Sequence, residues 1–110
     1  MNLPQLFTII KRVIATFLRN GLTRKECSCI MLCSIHTIDN HLECLRKAEQ
    51  AHTEEQVLCD CLERNWIRNL SKPEFDYYKQ IADTNMKRGA KRRSGYPIEW
   101  QKIHDELYPS

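Results

Sequence analysis

The chain is predicted to be all-α: a compact helical bundle containing a helix-turn-helix, with additional C-terminal helices. Three observations predict this. Apolar residues recur at the three-four spacing of a helix with one buried face. Helix-start signatures precede those segments, in Thr23 with Glu26, Ser34, Thr53 with Gln56, and Ser71 with Glu74. A length of 110 residues and an apolar content of 42% suffice for one cored domain, or one domain with an appendage. Residues 1–70 are expected to form the helix-turn-helix domain with bracing and closing helices. Residues 71–110 are expected to form a C-terminal helical extension that includes a basic loop at 87–95.

The first helix is expected over residues 6–20. Leu6, Ile9, Ile10, Val13, Ile14, Phe17 and Leu18 make one wide apolar face, with Lys11, Arg12 and Arg19 off it. Pro4 suits a helix start, and Gly21 suits a left-handed helix end. This helix backs the next two.

Gly21 to Lys47 reads GLTRKECSCIMLCSIHTIDNHLECLRK. Thr23 and Glu26 have the spacing of a capping box, and Leu22 can staple onto Cys27. A helix over 24–32 follows, then Ser34 as the N-cap of a helix over 35–48. In that helix Ile35, Ile38, Leu42 and Leu45 form the buried stripe, while His36, Thr37, Asp39, Asn40, Glu43 and Arg46 fall largely off it. A short exposed helix with His, Thr and Asn near its start suits a DNA major groove, where side chains meet base edges and free N–H groups meet phosphate.

On those residues the segment resembles the helix-turn-helix of LuxR-type (NarL-type) bacterial transcription regulators. Gly21, Leu22, Thr23, Lys25, Glu26, Ser34, Thr37, Ile38, Asn40, His41 and Leu42 stand in matching places over about residues 10–48. Cys27-Ser28 departs from the usual Ile-Ala, and Cys33 from the usual Ile or Val. The resemblance implies a recognition helix at 35–48, and a dimer contact made by the helix after it.

That next helix is expected to open at Thr53, with Gln56 completing a second capping box, and to end near Ser71. Its stripe is Leu58, Cys61 or Leu62, Trp66 and Leu70. Ser71, Pro73 and Glu74 open a fifth helix running to about Lys87. Phe75, Tyr78, Ala82 and Met86 share one stripe there, with Tyr77 and Ile81 beside it, as packing rather than a base-stacking platform. Residues 87–95, KRGAKRRSG, carry five Lys or Arg and no acid. They read as a mobile arm whose Lys91, Arg92 and Arg93 meet phosphates without reading bases. Pro97, Trp100, Ile103, His104, Leu107 and Tyr108 outline a short last helix that either folds back on the core or docks on a partner.

A net charge of +3 permits nucleic-acid binding without requiring it. No apolar run spans a membrane, because Lys11 and Arg12 interrupt the N-terminal one. A cytoplasmic location is expected. Of the six cysteines, Cys27, Cys33, Cys44 and Cys61 fall at or near apolar helix positions and read as inert core thiols. Cys29 and Cys59 are the more exposed candidates for redox sensing. There is no C-x-x-C, metal motif, phosphate loop or nucleophile constellation, so no cofactor, metal or enzyme activity is expected.

The expected function is a sequence-specific DNA-binding transcriptional regulator, acting as a symmetric dimer on double-stranded DNA. Ser34 caps the recognition helix, Thr37 and His41 contact phosphate, and Lys25, Arg46 and Lys47 add charge. His36, Asp39 and Asn40 face the bases, with Asn40 reading adenine. With only one helix ahead of the helix-turn-helix, control is expected from expression level, a partner protein or the cysteines. The alternative is a helical protein-interaction module that binds RNA polymerase or another regulator without touching DNA.

Overall fold

The computed structural model describes residues 8–88 and 98–109, and within them the chain is a bundle of six helices. These are α1 (Ile9–Arg19), α2 (Arg24–Met31), α3 (Ile35–Ala48), α4 (Glu54–Glu63), α5 (Lys72–Arg88) and α6 (Ile98–Leu107). α1 is the central rod, packed against α2, α3, α4 and α6, while α5 lies along α2. One hydrophobic core runs through all six helices, from Val13, Ile14 and Phe17 to Tyr78, Ala82, Trp100 and Leu107. The all-α expectation therefore holds, and the last helix folds back on the core.

Most helix boundaries follow the capping residues. Thr8 is the N-cap of α1, so the helix starts there; Pro4 and Leu6 lie outside the described residues. Thr23 and Glu26 form the reciprocal capping box of α2, at 2.9 and 3.0 Å. Thr53 accepts from the Gln56 amide, but the Gln56 carboxamide reaches back to the amide of His52 rather than closing a box on Thr53. Ser71 and Glu74 do close one at the start of α5.

The helix ends share one device. α1, α3 and α4 each terminate in a paired 6→1 and 5→2 hydrogen bond around a left-handed residue: Gly21, Gln50 and Asn65 respectively. Asn65 corrects the expected length of α4, which stops at Glu63 instead of continuing toward Ser71. Asn tolerates left-handed φ, so the stop signal was present in the sequence. Trp66 and Leu70 consequently reach the core from an irregular segment, not from a helix stripe. Asn20 holds that segment by donating to the carbonyl of Arg68 at 3.0 Å and accepting the amide of Leu70 at 2.8 Å.

The C-terminal helices also finish α2. The last carbonyls of a helix have no partner within it. Here Asn85 of α5 donates to the Cys29 carbonyl at 2.9 Å, and the indole N–H of Trp100 in α6 donates to the Met31 carbonyl. Leu32, at φ 54, then makes the left-handed turn into α3.

α6 is fastened to α1 by a directed polar chain. The backbone N–H of Arg68 donates to the Tyr108 hydroxyl at 3.1 Å. Thr16 Oγ1 donates to the Arg12 carbonyl at 2.7 Å, which leaves Tyr108 as donor across its 2.6 Å contact with Thr16 Oγ1. The Arg12 guanidinium lies 3.6 Å over the Tyr108 ring, and its Nε donates to the Trp66 carbonyl at 2.7 Å. Arg12, expected off the packed face, is thus half-buried and structural. α6 covers the flank of α1 that a single helix would leave in water.

Candidate nucleic-acid interface

Ser34 caps α3 as expected, accepting the Thr37 amide at 3.0 Å. Ile38, Leu42 and Leu45 are the only buried residues of α3. They anchor one stripe, and residues four or seven apart on the opposite side form an exposed row, His36, Asn40 and Lys47. Ile35 departs from the expected stripe. It is the first residue of the helix, ahead of the first packed turn, and is 40% exposed.

The structure sorts the expected contact residues into three groups. His36 and Asn40 are exposed, as are Lys25 at the start of α2 and Lys47 near the end of α3. Lys47 lies 3.9 Å from Glu43, a loose pairing that leaves its ammonium at the surface. Thr37 and His41 are half-buried. The Thr37 hydroxyl contacts Ser34 Oγ at 2.9 Å, and burial and then the nearby Lys11 charge lower the His41 pKa, keeping its ring neutral near pH 7.

Asp39 and Arg46 form the third group, being committed within the protein. Arg24 pairs with both Asp39 and Glu54. Arg46 pairs with Glu43 and donates to the Ala51 carbonyl at 3.0 Å. The hydrogen bond from Arg46 holds the Glu43 carboxyl below the usual carboxylate range. Lys91, Arg92 and Arg93 lie outside the described residues.

Arg24 was not among the expected site residues. It joins the starts of α2 and α4 to the first turns of α3. A signal did exist. A cation at the first turn of a helix opposes the helix dipole and calls for an acidic partner. The net effect of these pairs is a surface close to charge balance, with Lys25 and Lys47 at its edges.

Two cysteine assignments also change. Cys44 sits on the outward flank of α3 and is exposed, whereas Cys29 is half-covered beneath α5. Cys59 is exposed as expected, and Cys27, Cys33 and Cys61 are buried. Burial raises the Cys27 thiol pKa well above its usual value and pushes that of Cys61 up to about 12. Among the described residues no cluster of His, Cys, Asp or Glu could hold a metal ion, and no helix is long and apolar enough to cross a membrane.

No protein-family model, curated protein or solved structure matches the chain.

Proposed function

We propose that the protein is a sequence-specific DNA-binding regulator of transcription that presents α3 to the major groove. The observation that carries this reading is the arrangement of α3. A packed stripe of three residues holds a Ser-capped helix rigidly, and a row of His36, Asn40 and Lys47 faces solvent on its far side. Such a row supplies base-edge donors and acceptors flanked by cations for phosphate. The likeness of Gly21–Lys47 to the helix-turn-helix of LuxR-type regulators belongs to the same proposal, as does the basic segment 87–95.

A second reading draws on a different observation. The pairs Arg24–Asp39–Glu54 and Glu43–Arg46 neutralise most of the charge beside the row, and Ile35 is exposed at its end. A neutral, partly apolar helix face suits a protein partner such as RNA polymerase or another regulator.

Random-site selection on the full chain, followed by fluorescence anisotropy across a salt series, separates the two. DNA recognition predicts an enriched duplex, an affinity that falls steeply with salt, and a roughly 10- to 100-fold loss on that duplex for Asn40→Ala. Asn40 is exposed, so the variant should retain its melting temperature. Absence of any enriched site would sink the DNA reading and leave the protein-interaction one.

A further inference from the structure

We infer that Cys27, Met31 and Cys33 form a binding site for a soft monovalent metal ion, Cu(I), at the joint between α2 and α3. Cys27 and Met31 are four residues apart and share one face of α2. The Cys27 thiol donates to Met31 Sδ at 3.6 Å. Cys33 follows the left-handed Leu32, and its amide donates back to the Ser28 carbonyl at 3.0 Å, which turns the chain over the last turn of α2. Burial, and then the neighbouring Cys33, raise the Cys27 thiol well above its ordinary range. Two thiols and a thioether are thus gathered in one part of the core.

Sulfur donors of this kind select a soft ion, because thiolate and thioether favour Cu(I) over hard divalent metals. At a metal–sulfur distance of about 2.3 Å, the value for a bound thiolate, the two sulfurs 3.6 Å apart subtend about 100° at a shared ion. Structural zinc takes four donors. Among the described residues no cluster of His, Cys, Asp or Glu supplies them, and the third donor here is a thioether. Binding breaks the two S–H bonds and forms two sulfur–metal bonds. Both protons pass to water, and no electron is transferred.

The backbone that carries the sulfurs is held from outside α2. Asn85 and Trp100 meet the carbonyls of Cys29 and Met31. Cys27 and Met31 have no exposed surface, whereas Cys33 keeps 8%. The ion therefore enters from the turn and sits out of water. Cys33 also directly precedes Ser34, the N-cap of α3, where the positive end of that helix favours the negative charge of a dithiolate complex. The inference stands independently of what α3 binds.

Anaerobic titration of the reduced full chain with Cu(I), against a bicinchoninate chelator, tests it. The background is Cys44→Ser with Cys59→Ser, which removes the exposed thiols. The expected result is one Cu(I) withheld from the chelator per chain, with Cys27→Ala and Cys33→Ala each losing it and Cys61→Ser keeping it. Met31→Leu guards against a folding defect, since it nearly conserves core volume. It should retain the helical circular dichroism and weaken binding by about tenfold or more. X-ray absorption at the copper edge should show a shell of sulfur alone. A chain that yields all its copper to the chelator, an affinity indifferent to Met31→Leu, binding lost with Cys61→Ser, or nitrogen in the shell would overturn it.

Discussion

Tyr108→Phe isolates one oxygen atom at the joint between α6 and α1. The hydroxyl accepts from the Arg68 amide at 3.1 Å and donates to Thr16 Oγ1 at 2.6 Å, and Thr16 has no exposed surface. Phenylalanine keeps the ring, so the Arg12 guanidinium stacked 3.6 Å above it retains its cation–π partner. What the substitution removes is the middle of the chain. The Arg68 N–H loses its acceptor and Thr16 Oγ1 loses its donor. Leaving a buried donor unsatisfied costs about 1–3 kcal/mol, so about 2 kcal/mol is expected here. With an unfolding entropy of about 2.1 cal/mol/K per residue, a chain of 110 residues should lose about 9 °C of melting temperature. Thr16→Val should cost a similar amount, because it strands the Tyr108 proton. The double variant should cost clearly less than the two singles together, since it removes both ends of one contact. Thermal and urea unfolding followed by circular dichroism measure all three. A Tm within about 2 °C of the parent for Tyr108→Phe, or additive singles, would refute the directed chain and the fastening role assigned to it.

Three further outcomes are expected. Acid unfolding should proceed as pH falls from 4.5 toward 2. Arg68 and the Ser71 amide hold the Glu74 carboxyl at about 2; at Glu26, hydrogen bonds from Lys79 and Thr23 outweigh the upward push of burial. Carboxyls depressed in the fold contribute stability above their unfolded value that is lost on protonation; Glu74→Gln should flatten the pH dependence of the urea midpoint in this range. Thiol titration of the native chain at pH 8 should label Cys44 and Cys59 first and Cys29 more slowly, leaving Cys27, Cys33 and Cys61 until denaturant is added. Gln50→Gly should raise stability by about 0.5–1 kcal/mol, because Gln50 sits exposed at φ 54 and glycine relieves left-handed strain there. A fall in the urea midpoint would contradict that assignment.

Local signals made much of the fold legible. Thr23, Ser34, Thr53 and Ser71 mark real helix starts because a hydroxyl within reach of a free amide acts over three residues and needs no tertiary context. The stripe Ile38, Leu42 and Leu45 was legible for a similar reason, since helical periodicity decides which residues share a face. Periodicity does not say where a helix stops when apolar residues continue beyond it. Trp66 and Leu70 extended the apparent stripe of α4, but one left-handed residue, Asn65, outweighed the pattern. At the candidate site, the exposed positions of His36 and Asn40 could be read from the helix face. The engagement of Asp39 by Arg24 could not, because the two are 15 residues apart and meet only after α2 and α3 have packed.

By itself, then, the sequence determined the helices of this protein, the starts of α2, α3, α4 and α5, and the face that α3 leaves free, since capping and periodicity act within a turn or two of chain; it set α1 at residue 6, whereas Thr8 caps that helix at Ile9. The tertiary structure alone decided which charges remain available and where the C-terminal half goes. Ion pairs such as Arg24 with Asp39 and Glu54, the carbonyls at the end of α2 met by Asn85 and Trp100, and the Thr16–Tyr108–Arg68 chain join residues distant in sequence. Their geometry exists only once the apolar faces have been buried against one another. Packing that is specific in direction comes from the arrangement of all six helices, which no local pattern encodes.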